Sequence, residues 1–199
     1  MKILLTAFDA FGGEAVNPAQ EVLRQVTPPE GVELIRLEVP TVFGASVDEV
    51  AQAMKKESPQ AVLCIGQAGG RAAVTPERVA INVMDARIPD NAGQQPVDEP
   101  ICPGGENALF STIPNKKIVE RICAAQIPSQ LSNTAGTFVC NQLLYGVLNL
   151  CQTQYPGVRA GFVHVPYLPE QVKEKQVPSL PLQDGVTAIE IALQCIAAE

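Results

Sequence analysis

One histidine, His164, and six cysteines, at positions 64, 102, 123, 140, 151 and 195, carry this chain's capacity for proton transfer and nucleophilic attack. With a single histidine, any Cys–His or Ser–His mechanism has to use it. It stands in Gly161-Phe162-Val163-His164-Val165-Pro166, near the C-terminal end of an apolar run that reads as a strand. On those residues alone, a half-buried histidine bonded to backbone is the commoner reading. Among the cysteines, Cys140 stands apart. It follows the small-residue turn Asn133-Thr134-Ala135-Gly136-Thr137-Phe138-Val139. With Thr137 as N-cap it falls in the first turn of a helix, where the dipole and free N–H groups favour a thiolate and can bind an oxyanion. Cys64 sits inside a strand, Cys123, Cys151 and Cys195 within helices, and Cys102 in a long loop. Those settings suit small buried hydrophobes, and that reading stays open for Cys140 as well. Glu77, next to Pro76, either orients a histidine or is a solvated charge. No Gly-x-Ser-x-Gly elbow is present, which counts against a serine hydrolase of the usual α/β kind. Gly12-Gly13, Gly69-Gly70 and Gly104-Gly105 read as tight turns, since none belongs to a P-loop or dinucleotide fingerprint.

The elements that must position these groups follow from apolar patterning. Lys2 to Ala7 reads as a buried opening strand that runs into the loop Phe8 to Gly13. Asn17, Pro18 and Gln20 predict an N-cap, a first helical position and a capping box. Val32 to Val39 is a second strand, and Ser46 with Glu49 predicts a capping box for a helix to about Lys56. Ala61 to Ile65 is an unbroken apolar run, as in a strand covered on both faces. Arg78 to Val83 and Ser129 to Ser132 are strand candidates, and Asp85 to Glu106 is a long Pro- and Gly-containing loop. Lys116 to Ala125 and Thr137 to Cys151 read as helices and Ala160 to Val165 as a strand. A last helix opens near Asp184 or Thr187. The alternation predicts one α/β domain over residues 1–199, a three-layer α/β/α sandwich around a mostly parallel sheet. In such sheets ligands sit beyond the carboxyl ends of the strands. That selects the segments after the first and third strands and the end of the strand carrying His164.

Composition removes several functions. Lys and Arg total 14 against 21 Asp and Glu, a net charge of −7 without the basic footprint of a nucleic-acid binder. Aromatic residues are 5% with no Trp, which disfavours a stacking platform for single strands. Hydrophobic residues at 46% are enough for a sizeable core. The apolar start Ile3-Leu4-Leu5 is interrupted by Thr6 and Asp9, unlike a secretory segment, and no run approaches a membrane span. The expectation is a soluble cytoplasmic protein with reduced thiols. One histidine and no close cysteine pair disfavour a zinc site.

Taken together, several blocks resemble the pyroglutamyl peptidase I family of cysteine peptidases, also called pyrrolidone-carboxylate peptidases. They are Leu5-Thr6-Ala7-Phe8-Asp9-Ala10-Phe11-Gly12-Gly13 with Asn17-Pro18, Gly66-Gln67-Ala68-Gly69-Gly70-Arg71, and Glu77-Arg78-Val79-Ala80-Ile81-Asn82. Asp85-Ala86-Arg87-Ile88-Pro89-Asp90-Asn91, Ser132 through Asn141, and Gly161 through Pro169 complete the set. The resemblance implies removal of an N-terminal pyroglutamyl residue from peptides through a thioester, with no metal and no cofactor. It implies a triad of Glu77, Cys140 and His164, and a role for Arg87 near the oxyanion. Phe8 and Phe11 match a pocket for the ring, with Phe138 and Val139 as neighbours and Asn17 and Gln67 as polar positions beside it. It also implies a homo-oligomer, a dimer or tetramer. The chain departs from the family pattern at Ala7, Ala10 and Gln142. The rival readings are a phosphate-using transferase built on the Gly-rich turns and a binding module with an inert triad.

Overall fold

The strand β1 (Lys2–Phe8) is buried along nearly its whole length and takes parallel partners on both sides, β2 (Glu33–Val39) and β3 (Ala61–Gln67). The computed structural model describes residues 1–199. Beyond β3 lies β7 (Arg159–Val165), also parallel, and then β4 (Thr75–Glu77), antiparallel to β7, giving the order β2-β1-β3-β7-β4. Two further short strands, β5 (Val79–Ile81) and β6 (Ala108–Phe110), pair with each other in a separate ribbon.

Side-chain alternation sorts the sheet into two faces. Ile3, Leu5, Ala7, Leu63, Ile65, Val163 and Val165 join one core cluster with α1 (Pro18–Gln25), α3 (Asn115–Ala124) and α5 (Leu182–Ala197). Leu4, Phe8, Val62, Cys64, Ala160 and Phe162 join the other, against α2 (Ala45–Glu57) and α4 (Val139–Thr153). The α/β/α sandwich with a mostly parallel sheet is therefore what forms. His164 has the parity of Phe162, so it emerges on the α4 face, the face that also receives Cys140.

Several local expectations are corrected. Asn17 does cap α1, its side chain accepting from the Ala19 N–H at 3.0 Å, and Pro18 opens the helix. Gln20, however, donates to Glu38 at 2.8 Å, so no capping box closes. Ser46 lies inside α2, whose cap is Gly44 at φ 78°, a left-handed conformation a side chain would resist. The α5 helix begins at Leu182, ahead of Asp184. Arg78 to Val83 contracts to β5. Ser129 to Ser132 makes only isolated bridges to Val74 and Glu77. Residues 85–106 form the expected long connection, pinned by Met84 bridging Glu99. Asp90, buried within it, accepts from the backbone of Phe43, Ala92 and Gln94.

Candidate active site

Glu77 and His164 meet across the β4–β7 pair. The register sets Thr75 opposite His164 and Glu77 opposite Phe162, so Glu77 is the diagonal neighbour of His164, within reach of a long side chain. Its Oε1 lies 2.7 Å from His164 Nδ1. Glu77 is fully buried and His164 4% exposed. Burial works to raise the Glu77 carboxyl. The hydrogen bond from His164 and the nearby Arg71 guanidinium outweigh it and hold Glu77 below the usual carboxylate value. Glu77 accepts a hydrogen bond from Nδ1–H, which leaves Nε2 as the ring nitrogen able to take a proton.

Cys140 enters from the opposite layer. The expected N-cap, Thr137, instead donates its hydroxyl to the Asp85 carbonyl at 2.7 Å, so the cap is Phe138 and Cys140 is the second helical residue. The first N–H groups of α4 therefore remain without a capping side chain. Asn141 anchors this helix start to β5, its amide accepting from Ile81 N–H at 3.0 Å and donating to the Ile81 and Val83 carbonyls. Gln142 accepts from Gly44 N–H at 3.0 Å, tying α4 to the start of α2. Close approach of Cys140 to the sheet requires Gly66: a Cβ there would stand 3.3 Å from Cys140 Sγ and 2.8 Å from Phe162 Cζ. The thiol itself departs from expectation. Burial first, then the Glu77 charge and Cys64, push it up to about 12, against the opposing pull of Arg71 and a backbone hydrogen bond.

Cys140 and His164 line one cavity of about 270 Å³ with Phe11, Gln67, Ala68, Gly69, Arg71, the Thr134–Gly136 turn and Phe138. Phe138 is braced by Phe11 at 6.1 Å and, edge-on, by Phe43 at 5.3 Å between ring centroids. The remaining sequence-derived pocket residues lie elsewhere. Phe8 is buried behind the cavity, 6.3 Å from Phe162, whose own ring is 4.7 Å from His164. Val139 is in the core beneath α4. Asn17 serves the backbone, capping α1 and donating to the Asp9 carbonyl at 2.8 Å. Arg87 is exposed and does not line the cavity; the arginine that does is Arg71. Sequence reasoning missed Arg71, Phe43 and Gln171, which donates to Gln67 Oε1 at 3.1 Å. The one available signal was the position of Arg71 directly after Gly69-Gly70 at the end of β3.

A buried carboxylate–imidazole pair sharing a cavity with a cysteine at a helix start, all beyond the carboxyl ends of a parallel sheet, defines the class: a cysteine-type hydrolase on an α/β/α scaffold. The family model described as pyroglutamyl peptidase matches residues 1–199, and the chain belongs to that family. A pyrrolidone-carboxylate peptidase of Thermoanaerobacter sp. (strain X514) is 56% identical over 99% of this chain and 98% of its own. One from Levilactobacillus brevis is 50% identical over 98% and 97%. The crystal structure of Bacillus amyloliquefaciens pyroglutamyl peptidase I superimposes with a TM-score of 0.97 at 48% identity, covering 100% of this chain and 97% of that one. A variant pyrrolidone carboxyl peptidase from Pyrococcus furiosus gives 0.95 at 35% identity, covering 100% and 99%.

Proposed function

We propose that this chain hydrolyses the bond after an N-terminal pyroglutamyl residue, with Cys140 as nucleophile, His164 as proton carrier and Glu77 as its orienting carboxylate. Family membership over the whole chain supports the reaction, and the 2.7 Å Glu77–His164 contact beside the Cys140 cavity is the observation that carries the roles. The pyroglutamyl residue has no free α-amine, so its pocket needs a flat apolar slot and amide partners and no carboxylate for an ammonium. Phe11 and Phe138 supply the slot and Gln67 the amide. His164 Nε2 takes the Cys140 proton as sulfur attacks the carbonyl carbon, and the N–H groups at the start of α4 meet the developing oxyanion. The imidazolium then protonates the leaving amine, and water, deprotonated by the same nitrogen, cleaves the thioester and restores the thiol. A release assay on a pyroglutamyl amide tests this: wild type should turn over, and Cys140→Ala should be inactive with its fold retained. Near-normal turnover by that variant would falsify the nucleophile assignment. In the non-catalytic alternative, the wild-type protein itself releases nothing.

The same reading places the working enzyme in a homo-oligomer, dimer or tetramer. Ile88 and Val97, on the long connection beside Asp90, are 45% and 71% exposed, and burial against another copy would cover them. Sedimentation across a concentration series checks this: the expected mass is at least twice that of the chain, and a fully active monomer throughout would exclude it.

A further inference from the structure

The reading above leaves Arg71 unused, yet both of its terminal guanidinium nitrogens are tied into the site. It follows the turn after β3, where its N–H donates to the Ala68 carbonyl. Its Nη1 lies 2.6 Å from Glu77 Oε1 and 2.6 Å from Thr75 Oγ1, and its Nη2 lies 3.0 Å from the Thr134 carbonyl. Glu77 Oε1 thus receives Arg71 and His164 Nδ1 together, while Oε2 has no hydrogen bond. The Thr134 carbonyl belongs to the turn whose Gly136, at φ 80°, redirects the chain into α4 and Cys140.

We propose that Arg71 is a positioning residue for the reaction: its guanidinium fork grips the Glu77 carboxylate with one nitrogen and the Thr134 carbonyl with the other, holding base and nucleophile in one register. The fork geometry matters here. Two donors on one rigid plane span two acceptors from different chain segments, which the single ammonium of a lysine cannot reproduce. The contact also ties the shape of the site to its charge. Cys140 is faced by Glu77 from β4, Cys64 from β3, His164 from β7 and Arg71 from the β3–β4 turn. Glu77 is faced by His164, Ser132 and Arg71. Arg71 is the one permanent cation among them, so it offsets the Glu77 charge beside the thiol. Removing it makes every proton in the site harder to withdraw.

This inference rests on the peptidase reading, and its test separates the two. Wild type, Arg71→Lys and Arg71→Gln are assayed for kcat and KM from acid to alkaline pH, and in parallel for the rate at which iodoacetamide alkylates Cys140. Arg71→Gln is expected to lower kcat by about 10²-fold, the scale of a 1 Å misplacement, and to move both limbs of the pH–rate profile and the alkylation profile to higher pH. Arg71→Lys, which keeps the charge and loses the fork, is expected to lose kcat while its pH limbs stay near those of wild type. Should Arg71→Gln prove too unstable to assay, Arg71→Lys decides: wild-type kcat overturns the proposal. So does a fall in kcat for Arg71→Gln with unmoved limbs, since that is loss of structure alone. If wild type releases no pyroglutamate, the peptidase reading fails. The alkylation profile still judges Arg71: an upward displacement in Arg71→Gln supports the coupling, and none overturns it.

Discussion

His164 works between a buried carboxylate held by two donors and a thiol whose ionisation burial opposes. Glu77 is sealed against solvent and bonded to Nδ1, while burial and the Glu77 charge both push the Cys140 thiol upward. This division of labour ranks the side chains. His164→Gln removes the proton carrier and should lower kcat by about 10²–10⁴-fold. Glu77→Gln keeps an acceptor beside Nδ1 and should cost less. Steady-state kinetics of the two variants check the order, and a deader Glu77 variant would reverse the assigned roles. Residue counting made His164 legible, and the small-residue turn made Cys140 legible. Glu77 carried no such signal, because its partner lies far away in sequence and is reached only through an antiparallel edge strand. Arg71 was illegible for a related reason: a Gly-Gly-Arg turn looks solvated until β4 and the Thr134 turn close over it.

The strands and helices were mostly legible because buried parallel strands show unbroken apolar runs, as in Ala61 to Ile65. What escaped were ends and short pieces whose pairing is decided by tertiary contacts. Thr137 looked like a cap, yet the Asp85 carbonyl takes its hydroxyl; Ser129 to Ser132 looked like a strand, yet only isolated bridges form. At this scale Gly66 is the glycine that bears on the site most directly, because the Phe162 ring and the Cys140 sulfur both crowd the space its missing side chain would take. Its backbone is not left-handed, so the constraint is one of space and not of φ. Gly66→Ala drives a methyl to 2.8 Å from Phe162, which is fully buried and packs on His164. Overpacking of this kind costs about 1–3 kcal/mol. The expected result is a lower thermal midpoint together with a lower kcat, because any shift of Phe162 or Cys140 misplaces the reacting groups. Unchanged kcat and stability would mean that the sheet end yields without disturbing the site.

On the scale of the whole molecule, the sandwich stores thiols where ionisation is unfavourable, and this gives stability a definite alkaline dependence. Burial pushes Cys64 up to about 12 and Cys151 up to about 11, and Cys140 is likewise raised to about 12. All three belong to or pack against the core between the sheet and α4. In the unfolded chain the same thiols ionise near ~8.5. Below that pH both states hold these protons, and the stabilisation is complete. Above it the unfolded chain sheds protons that the native fold retains, so stability falls as pH rises. Each thiol contributes up to about 1.4 kcal/mol per pH unit until its folded value is approached. Chemical denaturation of the reduced protein in steps from about pH 7.5 to about pH 10 should therefore show a progressive loss beginning near ~8.5. Cys64→Ala should have a shallower slope by one thiol's share, whatever its stability at neutral pH. That difference in slope isolates the thiol from lysines and tyrosines, which titrate in both proteins alike. Parallel pH dependences for wild type and Cys64→Ala would show that the Cys64 proton is not held by the fold.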